Sequence, residues 1–250
     1  MSGPRVLVAG GLDPSGGAGL SADVEALLAV GGRALPVATA LTVQGAGGAY
    51  GAEAVPVALV RAQVEGLLAG RGLSVKALKT GMLATAEIAA ALAELFAHRR
   101  LARAPLVVDP VLAASSGLPL LDTGGAAPLD ALRPLLERAA LVTPNWLELE
   151  ALAGASIEDD DAAVAAARAL GARAVLVKGG HREGAPVDLL VRRREVLKFT
   201  GRRRAGTARG TGCRLASALA GLLAQGATLP EAVRGAKRVV ERYLDRERER

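Results

Sequence analysis

The residues of this chain best suited to chemistry sit in glycine-rich turns, and the most telling turn reads Gly210-Thr211-Gly212-Cys213. It holds the only cysteine, is flanked by Arg209 and Arg214, and feeds an apolar segment of helical character. Successive backbone N–H groups at a helix start form a positive end. Such an end stabilises an anion, including charge developing on a phosphoryl group in transfer. The same field lowers a thiol pKa, which would make Cys213 more thiolate-like than a core cysteine; the competing reading is a buried, inert one.

Three other turns carry residues of the same kind. Asp109 closes an apolar run, where a carboxylate is costly unless it is paired or working. Asn145 and Glu148 follow "LVTP" and share one face of a helix start, a spacing that suits a hydrated cation and equally an N-cap with its capping-box glutamate. Lys178 ends the run "AVLVK", placed either to meet a phosphate or to snorkel to the surface, and His181 beyond it reads as a surface-loop residue. Near the start, "AGGLDPSGGAGLSADVEAL" joins a strand to a helix through Asp13, Pro14, Gly16, Gly17 and Gly19. Those glycines allow either close approach by a ligand or a purely structural turn. Asp23 reads as a first-turn acid that suits the helix dipole. The stretch matches neither G-x-G-x-x-G nor the phosphate-loop lysine pattern.

The elements that must position these turns alternate in kind. Strands are predicted at Val6–Ala9, Leu35–Thr39, Val75–Lys79, Leu106–Asp109, Leu141–Thr143, Ala174–Lys178, Asp188–Val191 and Val196–Phe199. Helices are predicted at Leu20–Val30, Val57–Ala69, Ala86–His98, Leu129–Glu137, Glu148–Ala153, Asp160–Leu170, Cys213–Ala224 and Pro230–Leu244. Continuous apolar strands separated by helices indicate a mostly parallel sheet covered on both faces. The last two strands are close enough for an antiparallel edge hairpin, with Arg192 to Arg194 at its turn. No linker or repeat divides residues 1–250, so one α/β domain is expected, with ligands beyond the carboxyl ends of the strands.

Composition narrows the classes. Half the residues are hydrophobic (51%) and aromatics are 2%, so the core must be built from Ala, Leu and Val. The net charge of +6 raises nucleic-acid binding, but the arginines are scattered and stacking side chains are scarce, which favours a solvated basic surface. One cysteine precludes an intramolecular disulfide and suggests a reducing, cytoplasmic setting. The two histidines have no companions at metal spacing. No secretory pattern opens the chain, and no apolar stretch has membrane-spanning length, so neither a membrane nor a nucleic acid is expected as partner.

Taken in order, "GLDPSGGAGLSAD", "ATALTVQ", "KTGML", "VVDPV", "LVTPNWLELEAL", "LVKGGH" and "GTGC" resemble the ribokinase superfamily. Within it they are most similar to the hydroxymethylpyrimidine and phosphomethylpyrimidine kinases of thiamin synthesis, across nearly the whole chain. The resemblance implies a ribokinase-like three-layer α/β/α sandwich and transfer of the ATP γ-phosphoryl group to hydroxymethylpyrimidine phosphate, or to the alcohol itself. It implies a pyrimidine site at Gly17, Ala18 and Gly19, with Asp23 and Met82 nearby, Gln44 hydrogen-bonding the ring and Val111 packed on it. Asn145 and Glu148 match the family's magnesium motif, with Asp109 on the same side, and Lys178 matches its nucleotide-side lysine. Gly210, Thr211 and Gly212 match the anion hole, and Cys213 stands where related kinases carry a base. Members often form homodimers.

The departures cluster at the substrate and phosphate ends. Arg209 replaces the family's usual His and Arg214 its Thr; Ser115 replaces Lys, Leu118 replaces Asp, and Leu12 stands where Ser is common. Arg209 could take over phosphate or nucleotide binding, or be one more solvated arginine. Two rivals therefore remain: a pyridoxal or pyridoxine kinase, and a kinase-like module that binds a pyrimidine without turnover.

Overall fold

The computed structural model describes residues 3–45, 48–70, 72–114, 116–180, 185–203 and 208–248. His181 and Ser115, both noted in the sequence, lie outside them. The elements are β1 (Arg5–Leu12), α1 (Gly19–Ala29), β2 (Arg33–Gly45), β3 (Gly48–Ala54), α2 (Val57–Ala69), β4 (Val75–Thr80), β5 (Ala84–Thr85) and α3 (Ala86–Phe96). They continue with β6 (Leu106–Val108), β7 (Leu121–Asp122), α4 (Pro128–Arg138), β8 (Leu141–Val142), α5 (Trp146–Ala153), α6 (Asp160–Ala169), β9 (Ala174–Val177), β10 (Val187–Arg192), β11 (Val196–Thr200), α7 (Thr211–Ala224) and α8 (Leu229–Arg248).

Among the described residues nine strands form one sheet in the order β11-β10-β9-β8-β6-β4-β1-β2-β3, and β5 and β7 form a separate pair. From β9 to β2 the strands are parallel; β3 at one edge and the β10–β11 hairpin at the other run antiparallel. Period-two alternation sends successive strand residues to opposite faces. Leu7, Leu78 and Val108 enter one core with α2 to α6, while Val6, Val8, Ala77 and Val107 enter the other with α1, α7 and α8. The α/β, mostly parallel architecture read from the sequence is therefore present, helices on both faces.

Two differences bear on the site. Strand β2 continues to Gly45, well past the predicted Thr39, because its second half pairs with β3, which the Gly/Ala-rich "GAYGAEA" did not announce. That extension carries Gln44 beyond the carboxyl end of the parallel strands. Helix α7 begins at Thr211 rather than Cys213, which makes Gly210 its N-cap. Chain order reverses between β1 and β4, with β2 on one side and β6, β8 and β9 on the other, so the crevice that ligands use in such sheets opens there.

Candidate active site

The first wall of the crevice is the turn after β1. The register with β2 slips between Gly10 and Gly11, a bulge at the strand end. Asp13 then organises the turn: its Oδ1 accepts from the Ser15 amide (2.9 Å) and hydroxyl (2.7 Å), and its Oδ2 from the Ala18 amide (2.9 Å). Gly19 has φ +57°, and a Cβ there would lie 2.2 Å from the Gly11 carbonyl oxygen, so only glycine fits. Met82, buried after β4, lies against Gly11, and its carbonyl accepts from the Thr39 hydroxyl.

The N-terminus of α7 closes this wall. Gly210 caps the helix in the left-handed region at φ +70°, with no side-chain cap. A Cβ on it would stand 2.3 Å from the Gly17 carbonyl oxygen, so the two glycine turns pack backbone on backbone. Among the described residues no hydrogen-bond partner takes the first-turn N–H groups of Thr211, Gly212 and Cys213, and they form a positive end free to receive an anion. Cys213 is half-buried, with the Gly19 N–H directed at its sulfur. Here the structure corrects the sequence reading of a thiolate-prone cysteine. Burial pushes the thiol up to about 11, Lys79 opposing and Asp23 and Asp109 reinforcing the rise.

On the other side of α7 lie the ionised groups. A Cβ on Gly212 would sit 3.3 Å from Lys178 Nζ and 3.8 Å from Asp109 Oδ2, so the helix end abuts both. Lys178 donates to Asp109 Oδ1 at 2.8 Å and stands 3.5 Å from Glu148 Oε2; Thr143 donates its hydroxyl to Asp109 Oδ1 at 3.0 Å. Burial would raise the Asp109 carboxyl, but the ammonium groups of Lys178 and Lys79 hold it below the usual carboxylate range. Glu148 is pushed above that range, burial outweighing Lys178. Lys178 is held above the ordinary lysine range because the two carboxylates overcome its own burial.

Asn145 and Glu148 form the capping box in full: Asn145 Oδ1 accepts from the Glu148 amide at 2.8 Å and Glu148 Oε2 from the Asn145 amide at 2.6 Å. The cap and the cation reading are compatible on Glu148. Its Oε1 and Asp109 Oδ2 carry no hydrogen bond among the described residues. Two such oxygens suit Mg2+, which takes one or two carboxylates and fills its octahedron with water and substrate phosphate. They do not make an all-protein cage; no group of three or more His, Cys, Asp or Glu side chains gathers among the described residues.

Three residues sit elsewhere than expected. Asp23 faces no ligand space: it is buried and bonded to Lys79 (2.9 and 3.0 Å) and to the Ser217 hydroxyl (2.7 Å). Arg209 does not reach the Lys178 side; its guanidinium crosses to the turn after β1 and the end of β2, bonding Asp13, Ser15, Gln44 and Gly45. Arg214 is buried between the glycine turn and α8. Its guanidinium lies 3.7 Å over the Tyr243 ring and donates to the Gly17 carbonyl at 2.8 Å and Glu25 at 2.7 Å. Val111 is half-buried two residues past Asp109, packed on the α2-to-α6 core. Lys79 was missed as a site residue, although it follows Ala77 on the strand face toward α1 and α7 and is the kind of strand-end charge that singled out Asp109.

A family model described as phosphomethylpyrimidine kinase matches residues 13–249. The chain belongs to the phosphomethylpyrimidine kinase family. It is 42% identical over 242 residues to the hydroxymethylpyrimidine/phosphomethylpyrimidine kinase of Streptomyces coelicolor, covering 95% of this chain and 87% of that one. Among solved structures, the phosphomethylpyrimidine kinase of Clostridium difficile 630 superposes with a TM-score of 0.80 at 30% identity, covering 97% and 100% of the two chains. Pyridoxal kinase from Staphylococcus aureus in complex with AMP-PCP and pyridoxal gives a TM-score of 0.82 at 28% identity, covering 96% and 87%. Family membership makes the chain a kinase, and the resemblance read from its motifs holds.

Proposed function

We propose that the protein transfers the γ-phosphoryl group of ATP to 4-amino-5-hydroxymethyl-2-methylpyrimidine phosphate, and to the unphosphorylated alcohol, in thiamin synthesis. The observation that carries this reading is the position of the α7 N-terminus. One side touches the glycine turn at Gly17, and the other touches Lys178 and Asp109. An acceptor held against Gly17, Ala18, Gly19, Met82 and Gln44 would thus meet a nucleotide phosphate held by Lys178 at the N–H groups of Thr211, Gly212 and Cys213.

Asp109 and Glu148 would hold Mg2+, which when bound neutralises charge on the nucleotide phosphates. The protein's own share is positioning and electrostatics. Lys178 fixes the nucleotide end, and the free N–H groups of α7 stabilise charge developing on the moving group. A phosphate acceptor is ionised at neutral pH and needs no base. For the alcohol, Cys213 orients the hydroxyl with its sulfur protonated, because burial raises the thiol pKa. All parts fall within one kinase unit spanning the chain. No helix among the described residues is long and apolar enough to cross a membrane, and a cytoplasmic enzyme is proposed.

The near-equal fold match to pyridoxal kinases keeps pyridoxal as the second acceptor to test. ATP consumption measured with the pyrimidine alcohol, its monophosphate and pyridoxal decides between them. Turnover of either pyrimidine above pyridoxal supports the proposal, and preference for pyridoxal overturns it.

A further inference from the structure

Arg209 is the residue in the crevice whose position the family pattern does not explain. It precedes the α7 cap, yet its guanidinium spans the opposite wall. Nη2 donates to Asp13 Oδ2 at 2.9 Å and to Gln44 Oε1, while Nη1 donates to the Gly45 carbonyl at 2.9 Å and the Ser15 hydroxyl at 3.2 Å. The four terminal N–H bonds of an arginine are thereby all directed at protein acceptors, and the buried Asp13 carboxylate balances its charge. An arginine so engaged has nothing left at its fork for a phosphate. Its own backbone is pinned as well, the Arg209 carbonyl accepting from the Tyr243 hydroxyl at 3.0 Å.

The contact with Gln44 has a chemical consequence. Arginine only donates, so the amide atom facing it must be the oxygen, and the usual ambiguity of amide orientation is removed. The Gln44 NH2 group is then the free end, with no hydrogen bond among the described residues. We propose that Arg209 is a positioning residue for acceptor specificity: by holding the Gln44 amide oxygen it presents the Gln44 NH2 group as a donor to a ring nitrogen of the acceptor. The inference rests on the kinase reading above, in which Gln44 bonds the ring, and adds Arg209 as the group that orients its amide. Lysine, a compact point charge with three donors, cannot hold four acceptors around a planar fork.

The test compares wild type, Arg209→Lys, Gln44→Glu and the double variant, with KM measured for the acceptor and for ATP. Arg209→Lys raises acceptor KM about tenfold, one well-placed hydrogen bond, and leaves ATP KM unchanged. Gln44→Glu keeps the Arg209 contact but has no donor, and raises acceptor KM at least as far. The double variant is no worse than Gln44→Glu alone, because Arg209 acts through Gln44. A rise in ATP KM in Arg209→Lys, losses that multiply in the double variant, or an unchanged acceptor KM in Gln44→Glu each overturns the inference. Gln44→Glu preserves the Arg209–Asp13 pair, so it stays informative if Arg209→Lys unfolds. If wild type prefers pyridoxal, the proposed function fails while the same comparison is run with pyridoxal, whose ring nitrogen also accepts.

Discussion

Lys79 and Asp23 form an ion pair sealed from water, with Lys79 Nζ 2.9 and 3.0 Å from the two carboxylate oxygens and both side chains 1% exposed. Ser217 of α7 donates to the same carboxylate, so one buried charge pair joins β4, α1 and α7 beneath the glycine turns. Removing one partner strands the other charge in a low-dielectric interior. Lys79→Met should cost about 3–5 kcal/mol of stability in urea denaturation, and Lys79→Met/Asp23→Leu should recover most of it. Equal losses in the single and double variants would show that packing, not charge, dominates there.

Arg214 joins α7 to α8 through its contact with the Tyr243 ring. Glu25, its ionic partner, is 62% exposed, so that bridge contributes little; the contact with the Tyr243 ring and the bond to the Gly17 carbonyl dominate. Arg214→Thr should therefore lower stability by about 1–3 kcal/mol and leave the ratio of activities on the competing acceptors unchanged. A changed acceptor preference at wild-type stability would contradict this.

Gly210→Ala introduces a Cβ 2.3 Å from the Gly17 oxygen at φ +70°. Either the cap or the glycine turn must move, and with it the N–H groups proposed to face the transferred phosphoryl. Loss of one such donor typically costs about 10²–10³ in kcat. The variant should show that loss in steady-state assays, with nucleotide binding by calorimetry retained because Lys178 is untouched.

Cys213 provides a test by pH. Its pKa rises on folding from 9.0 to about 11, so between those values the folded chain holds a proton that the unfolded chain releases. The thiol's contribution to stability is complete below pH 9 and is lost as pH climbs through 11. Wild type should lose more stability than Cys213→Ala over that window. Alkylation of the native thiol by iodoacetamide should be slow at pH 8 and accelerate toward pH 11. Rapid alkylation at neutral pH would reinstate the thiolate reading.

Much of the proposed site was legible because its residues sit at strand ends. Asp109 and Lys178 announced themselves as charges closing apolar runs, and Asn145 with Glu148 as a helix start. What the sequence could not convey was direction. Arg209 and Arg214 look equivalent beside "GTGC", yet a five-residue separation across the α7 cap sends one guanidinium to Gln44 and the other to Tyr243. Asp23 likewise reads as a first-turn acid until the fold brings Lys79 and Ser217 to it from distant segments. Strand β3 escaped because its Gly/Ala-rich, largely exposed residues have no apolar period, and pairing with β2 alone makes it a strand.

The central claim is that the N-terminus of α7 joins a pyrimidine-acceptor wall to a nucleotide wall. The most direct measurement is ATP-dependent product formation from hydroxymethylpyrimidine phosphate, with pyridoxal in parallel, by wild type and Asp109→Asn. The pyrimidine phosphate should be converted in preference to pyridoxal, with the variant slower by about 10²-fold or more. Preferential phosphorylation of pyridoxal, or an Asp109→Asn enzyme at wild-type rate, would contradict it.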